Sequence, residues 1–355
     1  MPGRYDRQPM GPALGEAAKK LRYLRNFAAG RLVHVNMQLL YDCNLRCAIC
    51  EFWKPEYRGR PRLEVEQVRV LSDKLATIGP QVISIGGGEP LLHPDLIGVV
   101  QTLANDHFPV MICNGWLVNK DNARGLFRAG IHEISVSVDY VDPQRHDAQR
   151  GVPGAHARAM RALRILQENR AYSWQRVHMI SVIMNDNLDD VEPLIQMCRD
   201  IDVTYLVTLY SDNRGRIERR SIPNDVSERL LELKDRYPEF VVLRGYIGKF
   251  SDAILQDGIG PCYTGRNLCN VDSQGDVSLC IDRLEDRAGN ILTDPMDEIE
   301  RRLLGKHLSN QCRACWTSCR GAIETLMHGD ERFGNLLDYH RMTRPVPIGP
   351  ASARH

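Results

Sequence analysis

The stretch Cys43-Asn44-Leu45-Arg46-Cys47-Ala48-Ile49-Cys50 decides how this chain is read. It sets three cysteines in a CxxxCxxC spacing just after an apolar run, Leu32 to Leu40, that reads as a β-strand. Three clustered thiolates are one short of closing a tetrahedral zinc site. They are the right number to hold three irons of a 4Fe–4S cubane and leave the fourth iron open to a small molecule. Cysteines at this spacing would also share one face of a helix as buried structural thiols. Asp42, Asn44, Arg46 and Glu51 make the segment too polar for that, and no further His or Cys follows closely to complete a zinc site.

Outward from this stretch, apolar and mostly β-branched runs recur: Val33–Leu39, Val82–Ile85, Pro109–Ile112, Glu133–Val138, Val177–Ile183 and Thr204–Leu209. Segments with helical periodicity lie between them: Val65–Ile78, Asp95–Asn105, Asn119–Ala129, His156–Asn169 and Leu188–Ile201. Such alternation implies parallel pairing through right-handed crossovers. Six units are too few for a closed eight-stranded barrel and suit an open, partial (β/α)6 barrel of the α/β class.

The chemistry-bearing residues fall at the ends of these runs. The Cys triplet follows the first, and Gly86-Gly87-Gly88-Glu89-Pro90 the second. The third ends in Cys113-Asn114-Gly115, the fourth in Ser137-Val138-Asp139, the fifth in Asn185, and the sixth leads into Tyr210 and Ser211. In parallel β/α folds the carboxyl ends of the strands form the reactive rim, so six independent strand ends converge on one site. Ser137 and Asp139 lie two apart and so point to one face of a strand, although an Asp here also suits a helix cap or turn. The glycines also suit an ordinary turn before Pro90, and Asn185-Asp186-Asn187 is also a turn sequence.

These motifs, in this order, resemble the radical S-adenosylmethionine (radical SAM) enzymes over about Val33 to Arg320. The resemblance implies that Cys43, Cys47 and Cys50 hold a 4Fe–4S cluster whose open iron binds SAM. It implies that Gly86, Gly87, Gly88 and Glu89 meet the amino-acid part of SAM, where glycine allows close backbone approach. Asn114, Ser137, Asp139 and Asn185 are then cofactor-binding candidates. One detail departs from the family: the residue before the third Cys is usually aromatic and here is Ile49.

A second group, Cys262, Cys269, Cys280, Cys312, Cys315 and Cys319, follows Pro261. Cys262 to Cys280 spells C-x12-G-x4-C, with Asp272-Ser273-Gln274-Gly275 as a hairpin turn between short strands. Cys312 and Cys315 form a CxxC. This resembles the auxiliary-cluster domain of the SPASM and twitch subgroups. The longer SPASM form usually ends CxxC-x5-C-x3-C, whereas this chain has CxxC-x3-C and no Cys beyond Cys319. The resemblance therefore implies the shorter, twitch-like form with one auxiliary 4Fe–4S cluster. Cys262, Cys280, Cys312 and Cys315 fit by spacing, Cys319 can replace one of them, and Cys269 is a ligand or a buried strand residue. A zinc knuckle is the competing reading, because four-cysteine spacing does not name the metal. Cys113 and Cys198 belong to neither set and read as small buried hydrophobes. Beside the SAM site, a Cys113 thiol could alternatively return a hydrogen atom to a substrate radical.

Composition narrows the classes. Lys and Arg total 46 against 45 Asp and Glu, for a net charge of +1, which argues against a nucleic-acid binder or membrane attraction. No apolar stretch approaches the ~20 residues that span a bilayer. No apolar signal core follows Lys19, Lys20, Arg22 and Arg25. Eleven cysteines, with CxxxCxxC and CxxC patterns among them, then indicate ligation in a reducing cytoplasm rather than disulfides.

The expected organisation is an N-terminal extension (1–32), the partial barrel (33–212), a polar connector (213–260) with a helix at Val226–Tyr237, a twitch/SPASM-like cysteine-rich α+β domain (261–335) and a loose tail (336–355). The implied activity is reductive cleavage of SAM to a 5′-deoxyadenosyl radical that abstracts a substrate hydrogen atom. An oxidation of a small molecule, such as an aminosugar or cyclitol, is the leading expectation, with a flavodoxin- or ferredoxin-type electron donor. Only about 35 residues precede the first strand, too few for a fused peptide-recognition domain. Modification of a ribosomal peptide is the alternative; an iron–sulfur electron carrier or zinc scaffold is the non-catalytic one. Arg214, Arg216, Arg219 and Arg220, a basic run after the sixth strand, read as a solvated loop or as a contact for an anionic substrate or acidic donor.

Overall fold

The computed structural model describes residues 12–211, 225–256, 258–329 and 332–344. Six parallel strands build its first part: β1 (His34–Leu40), β2 (Val82–Gly87), β3 (Phe108–Cys113), β4 (Glu133–Ser137), β5 (Arg176–Ile183) and β6 (Thr204–Leu209). Helices α2 (Val65–Ile78), α3 (Leu96–Ala104), α4 (Lys120–Ala129), α5 (Pro143–Arg150), α6 (Ala155–Glu168) and α7 (Val191–Asp200) connect them, after an N-terminal α1 (Pro12–Ala28). Local signals set the boundaries. Asn119 caps α4 through the Asp121 and Asn122 amides, and Gly130 closes it in the left-handed region at φ 100°. Asp142 caps α5 and Pro143 opens it.

Each crossover returns the chain to the neighbouring position, so the sheet runs β6-β5-β4-β3-β2-β1 without a switch. Alternation along β1 divides its faces. Val35, Met37 and Leu39 pack into the apolar core, while His34, Asn36 and Gln38 border a cavity on the opposite face. Helix α1 serves the amino end of the barrel. Lys19 Nζ donates to the Ala104 carbonyl at 2.9 Å and Asn26 Nδ2 to the Ile78 carbonyl at 2.7 Å, meeting orphan acceptors where α3 and α2 end.

The sheet does not stop at β1. β7 (Leu268–Val271) runs parallel beside it, and β8 (Asp276–Ser278) and β9 (Arg287–Asn290) add antiparallel strands to give nine. The Asp272–Gly275 turn joins β7 to β8, with Gly275 at φ 85°. The cysteine-rich region thus continues the barrel sheet.

The segment read as a polar connector holds α8 (Val226–Arg236), α9 (Arg244–Ile247) and α10 (Phe250–Leu255), and it buries Val226, Leu230, Tyr246, Ile247 and Phe250. Residues 239–241 also pair with Tyr205 and cover the outer edge of β6. Three more helices follow: α11 (Met296–Leu308), α12 (Ser318–His328) and α13 (Arg332–Met342), the last running into the stretch expected as a tail. The start of α12 reaches the far edge of the barrel, where the Ser318 amide donates to Thr208 Oγ1 at 3.0 Å. The cysteine-rich region therefore touches both β1 and β6. Among the described residues no helix is long and apolar enough to cross a membrane.

Burial holds several histidines neutral. His34 is pushed down to about 4, His132 to about 3 and His146 to about 2, and His93, His107 and His156 are lowered too, each mainly by desolvation. Between the ordinary value near 6.5 and these lower values, the unfolded chain binds protons that the folded chain does not. Stability is therefore full above about pH 6.5 and falls as pH drops through that window. Urea midpoints measured from pH 7.5 to 5 should decline steadily; a flat profile would show these rings to be protonated in the fold.

Candidate active site

The loop after β1 carries the Cys triplet, and backbone bonds hold it from two sides. From β2, the Gly88 amide donates to the Leu40 carbonyl at 2.8 Å and the Glu89 amide to the Asp42 carbonyl at 2.9 Å. A Cβ on Gly87, itself at φ 109°, would stand 2.2 Å from the Leu40 oxygen, and one on Gly88 2.0 Å from the Asp42 oxygen. These two glycines thus let the loop approach. Gly86 differs: nothing lies within 4 Å of where its Cβ would be, and it borders the cavity. From the other side, the amides of Arg46 and Ala48 donate to the carbonyls of Arg150 and Gln149 at 3.1 and 2.8 Å. Tyr41, Phe52 and Tyr57 close a ring of aromatic contacts, 5.0–5.2 Å between centroids, beneath the outgoing end of the loop.

All three thiols border one cavity of about 620 Å³ at the carboxyl ends of the strands. Gly86, Gly87, Gly88, Glu89, Cys113, Asn114 and Ser137 share it, as do Thr208, Tyr210 and Ser211 from the end of β6. Glu89 is buried; its carboxylate accepts from the Asn114 amide at 2.8 Å and the Leu91 amide at 3.3 Å. Burial raises it to about 7 against those bonds. Asn114 ties the end of β3 to the loop, donating through Nδ2 to Asn44 Oδ1 at 2.8 Å.

Two expected cofactor contacts sit elsewhere. Asp139 is fully buried and does not border the cavity. It lies past the end of β4, where the alternation that paired it with Ser137 no longer holds, and its carboxylate takes the Arg150 guanidinium and, at 2.8 Å, the Val182 amide. Asn185 also stands off the cavity; its turn is held by Asn187, which donates to the Asp139 and Val182 carbonyls at 3.1 and 2.8 Å.

Arg150, at the end of α5, is a residue the sequence reading missed. It borders the cavity, pairs with Asp139 and directs Nη1 toward Cys47 Sγ at 3.8 Å. Burial works against its charge, but Asp139 and the Cys47 sulfur outweigh that and hold it up. Its signal was present: Asp142-Pro143 starts a short helix, Gly151 stops it, and a basic side chain stands just before the stop. The polar alternation His34, Asn36, Gln38 on β1 was equally readable and equally missed.

The donor set fits an iron–sulfur group. Burial pushes the Cys43 thiol up to about 12, and the nearby Glu89, Cys47 and Cys50 add to it. Crowded thiols and a carboxylate are unfavourable as anions unless a polycationic centre joins them. Among the described residues no three such ligands converge on a single ion; a cubane takes its thiolates at separate irons.

In the cysteine-rich region, Cys262 and Cys280 are raised by burial, and Cys280 has Cys315 and Cys262 as charged neighbours. The Cys262 amide donates to the Cys312 carbonyl at 3.0 Å, and Asn310 bridges the two, donating to the Cys262 carbonyl and accepting from the Cys312 amide. Arg320 is buried beside Cys262 and Cys315. Cys319 borders the barrel cavity instead, with Thr317 Oγ1 at 3.3 Å from its sulfur. Cys269 lies in β7 on the apolar core side, and Cys198 is buried on α7. Arg214, Arg216, Arg219 and Arg220 lie outside the described residues.

A parallel partial barrel with three thiols at its carboxyl rim is the arrangement of an enzyme class that carries an iron–sulfur cluster. The model of the Radical SAM superfamily matches residues 37–198, so this part of the chain is a radical SAM domain, and proteins of that superfamily bind SAM and a 4Fe–4S cluster. It is similar to the mycofactocin maturase MftC of Mycobacterium ulcerans, 28% identical over 314 residues that cover 80% of each chain. It is also similar to the AdoMet-dependent heme synthase of Methanosarcina barkeri, 25% identical over 74% of this chain and 80% of that protein. Among solved structures, Streptococcus suis SuiB bound to precursor peptide SuiA superposes with a TM-score of 0.63 at 13% identity, covering 84% of this chain and 72% of that one.

Removing one partner of a buried ion pair strands the other charge. Asp139→Asn should therefore destabilise the fold by about 3–5 kcal/mol. Asp139→Leu combined with Arg150→Met should recover much of that loss in urea denaturation; equal losses would show that the pair does not balance its own burial.

Proposed function

We propose that this protein is a radical SAM enzyme that modifies a peptide substrate by hydrogen-atom abstraction. The observation that carries the catalytic part is the meeting of Cys43, Cys47 and Cys50 with the Gly86–Glu89 turn at one cavity. In this reading the three thiolates hold the cluster. When bound, a reduced cluster and SAM supply a 5′-deoxyadenosyl radical, which takes a hydrogen atom from an unreactive substrate carbon.

The chain's own residues bind, orient and exclude water. Gly86 leaves space for the amino-acid part of SAM, and Glu89 is within the same wall to accept from its ammonium. Arg150 offers positive charge to the Cys47 thiolate and to a carboxylate beside it. Ser137 is a hydroxyl for the ribose side. Asp139 acts through Arg150 as its counter-ion.

A peptide substrate is favoured over the aminosugar or cyclitol expected from sequence. SuiB is bound to a precursor peptide, MftC is named a maturase, and neither relative's name points to a sugar. Cys262, Cys280, Cys312 and Cys315 are the residues we assign to hold one auxiliary cluster, which would supply an electron acceptor beside the cavity. A flavodoxin- or ferredoxin-type protein is the proposed reductant.

Anaerobically reconstituted protein reduced with dithionite in the presence of SAM should release 5′-deoxyadenosine, and Cys47→Ala should abolish it. About eight irons per chain are expected, whereas about four would remove the auxiliary cluster. A short peptide encoded beside the gene should lose hydrogen in the same assay, read by mass spectrometry. Absence of 5′-deoxyadenosine under all conditions would overturn the catalytic reading.

A further inference from the structure

Ile112 lies in the middle of the sheet and is nevertheless 41% exposed. Its strand β3 is paired along both edges, with β2 and with β4, so the side chain can be uncovered only on a face of the sheet. Met111 and Cys113, on either side of it, are buried in the apolar core, and alternation turns Ile112 the other way. It borders the cavity. Its exposed surface is therefore surface that a molecule in the cavity can touch.

The neighbouring strands explain why it is uncovered. Ser135 is its register partner on β4. On β2 the pairing of Ile85 with Met111 carries Gly86 to the position beside Ile112, and nothing lies within 4 Å of where a Gly86 Cβ would be. Inward-facing side chains of a β/α barrel ordinarily fill it by packing on one another. Here a branched side chain stands between a glycine and a serine, and neither reaches over it. Beyond β4, Ile180 and Val182 continue the apolar wall, whereas β1 and β2 give the cavity His34, Asn36 and Ser84.

We propose that Ile112 is a specificity-determining residue, and that it floors a subsite for an aliphatic or aromatic side chain of the substrate. This rests on the reading of the cavity as the place where a peptide is modified. In that reading the space over Gly86 goes to SAM, and the subsite lies on the other flank of Ile112, over Ser135 and toward Ile180, the register partner of Ser137. Asn114 and Ser137, at the rim, each stand two residues further along the chain than Ile112 and Ser135, about 7 Å in an extended strand. A group that reaches Ile112 has thus entered the barrel past the rim. An apolar side chain there removes its own surface and that of Ile112 from water together. A polar one would give up its hydration against hydrocarbon.

The test uses the reconstituted full chain with SAM bound. N-acetylleucinamide and N-acetylasparaginamide have nearly the same shape and the same two backbone amides, and differ in two methyls against a carboxamide. Titrated by ligand-observed NMR, the leucine probe should bind about tenfold more tightly. Ile112→Ala should reduce that preference severalfold and Ile112→Asn should abolish it. The side chain is not part of a sealed core, so neither substitution leaves a buried cavity behind. Equal binding of the two probes, binding of neither, or an undiminished preference in Ile112→Asn would overturn the inference. Weaker SAM binding by Ile112→Asn with the preference retained would overturn it too, since the cofactor would then be what covers the residue. Binding needs no turnover. A leucine preference without 5′-deoxyadenosine formation would sink the catalytic reading alone, and 5′-deoxyadenosine formation without the preference would sink the subsite alone.

Discussion

Everything in this molecule depends on how an eight-residue loop is kept in place. The three cysteines have little regular structure of their own, and a loop that frays cannot present three thiols to one centre. The fold answers with main-chain bonds from two sides, to which the Asn114–Asn44 side-chain bond is added. Two come from the Gly87–Glu89 end of β2 and two from the last carbonyls of α5. Main-chain bonds of this kind need close approach, and that requirement accounts for Gly87, Gly88 and Gly151, whose absent Cβ atoms would each meet a loop carbonyl at 2.6 Å or less. The glycines beside the cavity are therefore partly about the cofactor and partly about the loop that carries its ligands.

Charge follows from that geometry. Bringing Cys43 and Glu89 together, with two further thiols beside them, makes both groups reluctant to carry anions. Arg150 is the counterweight available within the protein, and it stays charged because Asp139 stands behind it. Asp139 is in turn held by the Val182 amide and, through its own carbonyl, by Asn187. Strand β5 and the turn after it thus reach the Cys loop through two intermediates. The cysteine-rich region repeats the device, with Arg320 buried between Cys262, Cys315 and Glu324.

The fold was legible because its strands are short apolar runs separated by periodic helices, and parallel sheets buried on both faces leave that mark. Helix ends were legible where a cap residue stands, as at Asn119. What escaped was everything set by contact between distant segments. Asp139 and Ser137 look equivalent when only strand periodicity is considered, yet the strand ends between them. Arg150 has no meaning until α5 lies against the Cys loop. In the connector the helix expected at Val226–Tyr237 is present as Val226–Arg236, but its packing was not legible: it is polar on most of its surface, and Val226, Leu230 and Leu233 face the core. The fusion of β7 to β1 has no local signature, since its register, His34 against Leu268, is written in neither segment alone.

That fusion ties the two cysteine groups into one object. Because β7 and β8 extend the barrel sheet, the residues that approach Cys280 are neighbours of residues that face the cavity, and no hinge separates them. Asn36 is the register partner of Asn270, and Asn270 that of Ser278, so polar side chains on the inner face line up across adjacent strands. In a sheet this alignment is rigid: a slip of one residue would turn Gln38 and Asn270 into the apolar core and bring Met37 or Leu39 to the cavity. The strongest requirement on the register of β7 is therefore apolar packing on one face. The orientation of polar groups on the other face follows from it, and with it the hydrogen-bonding character that the cavity offers to whatever enters.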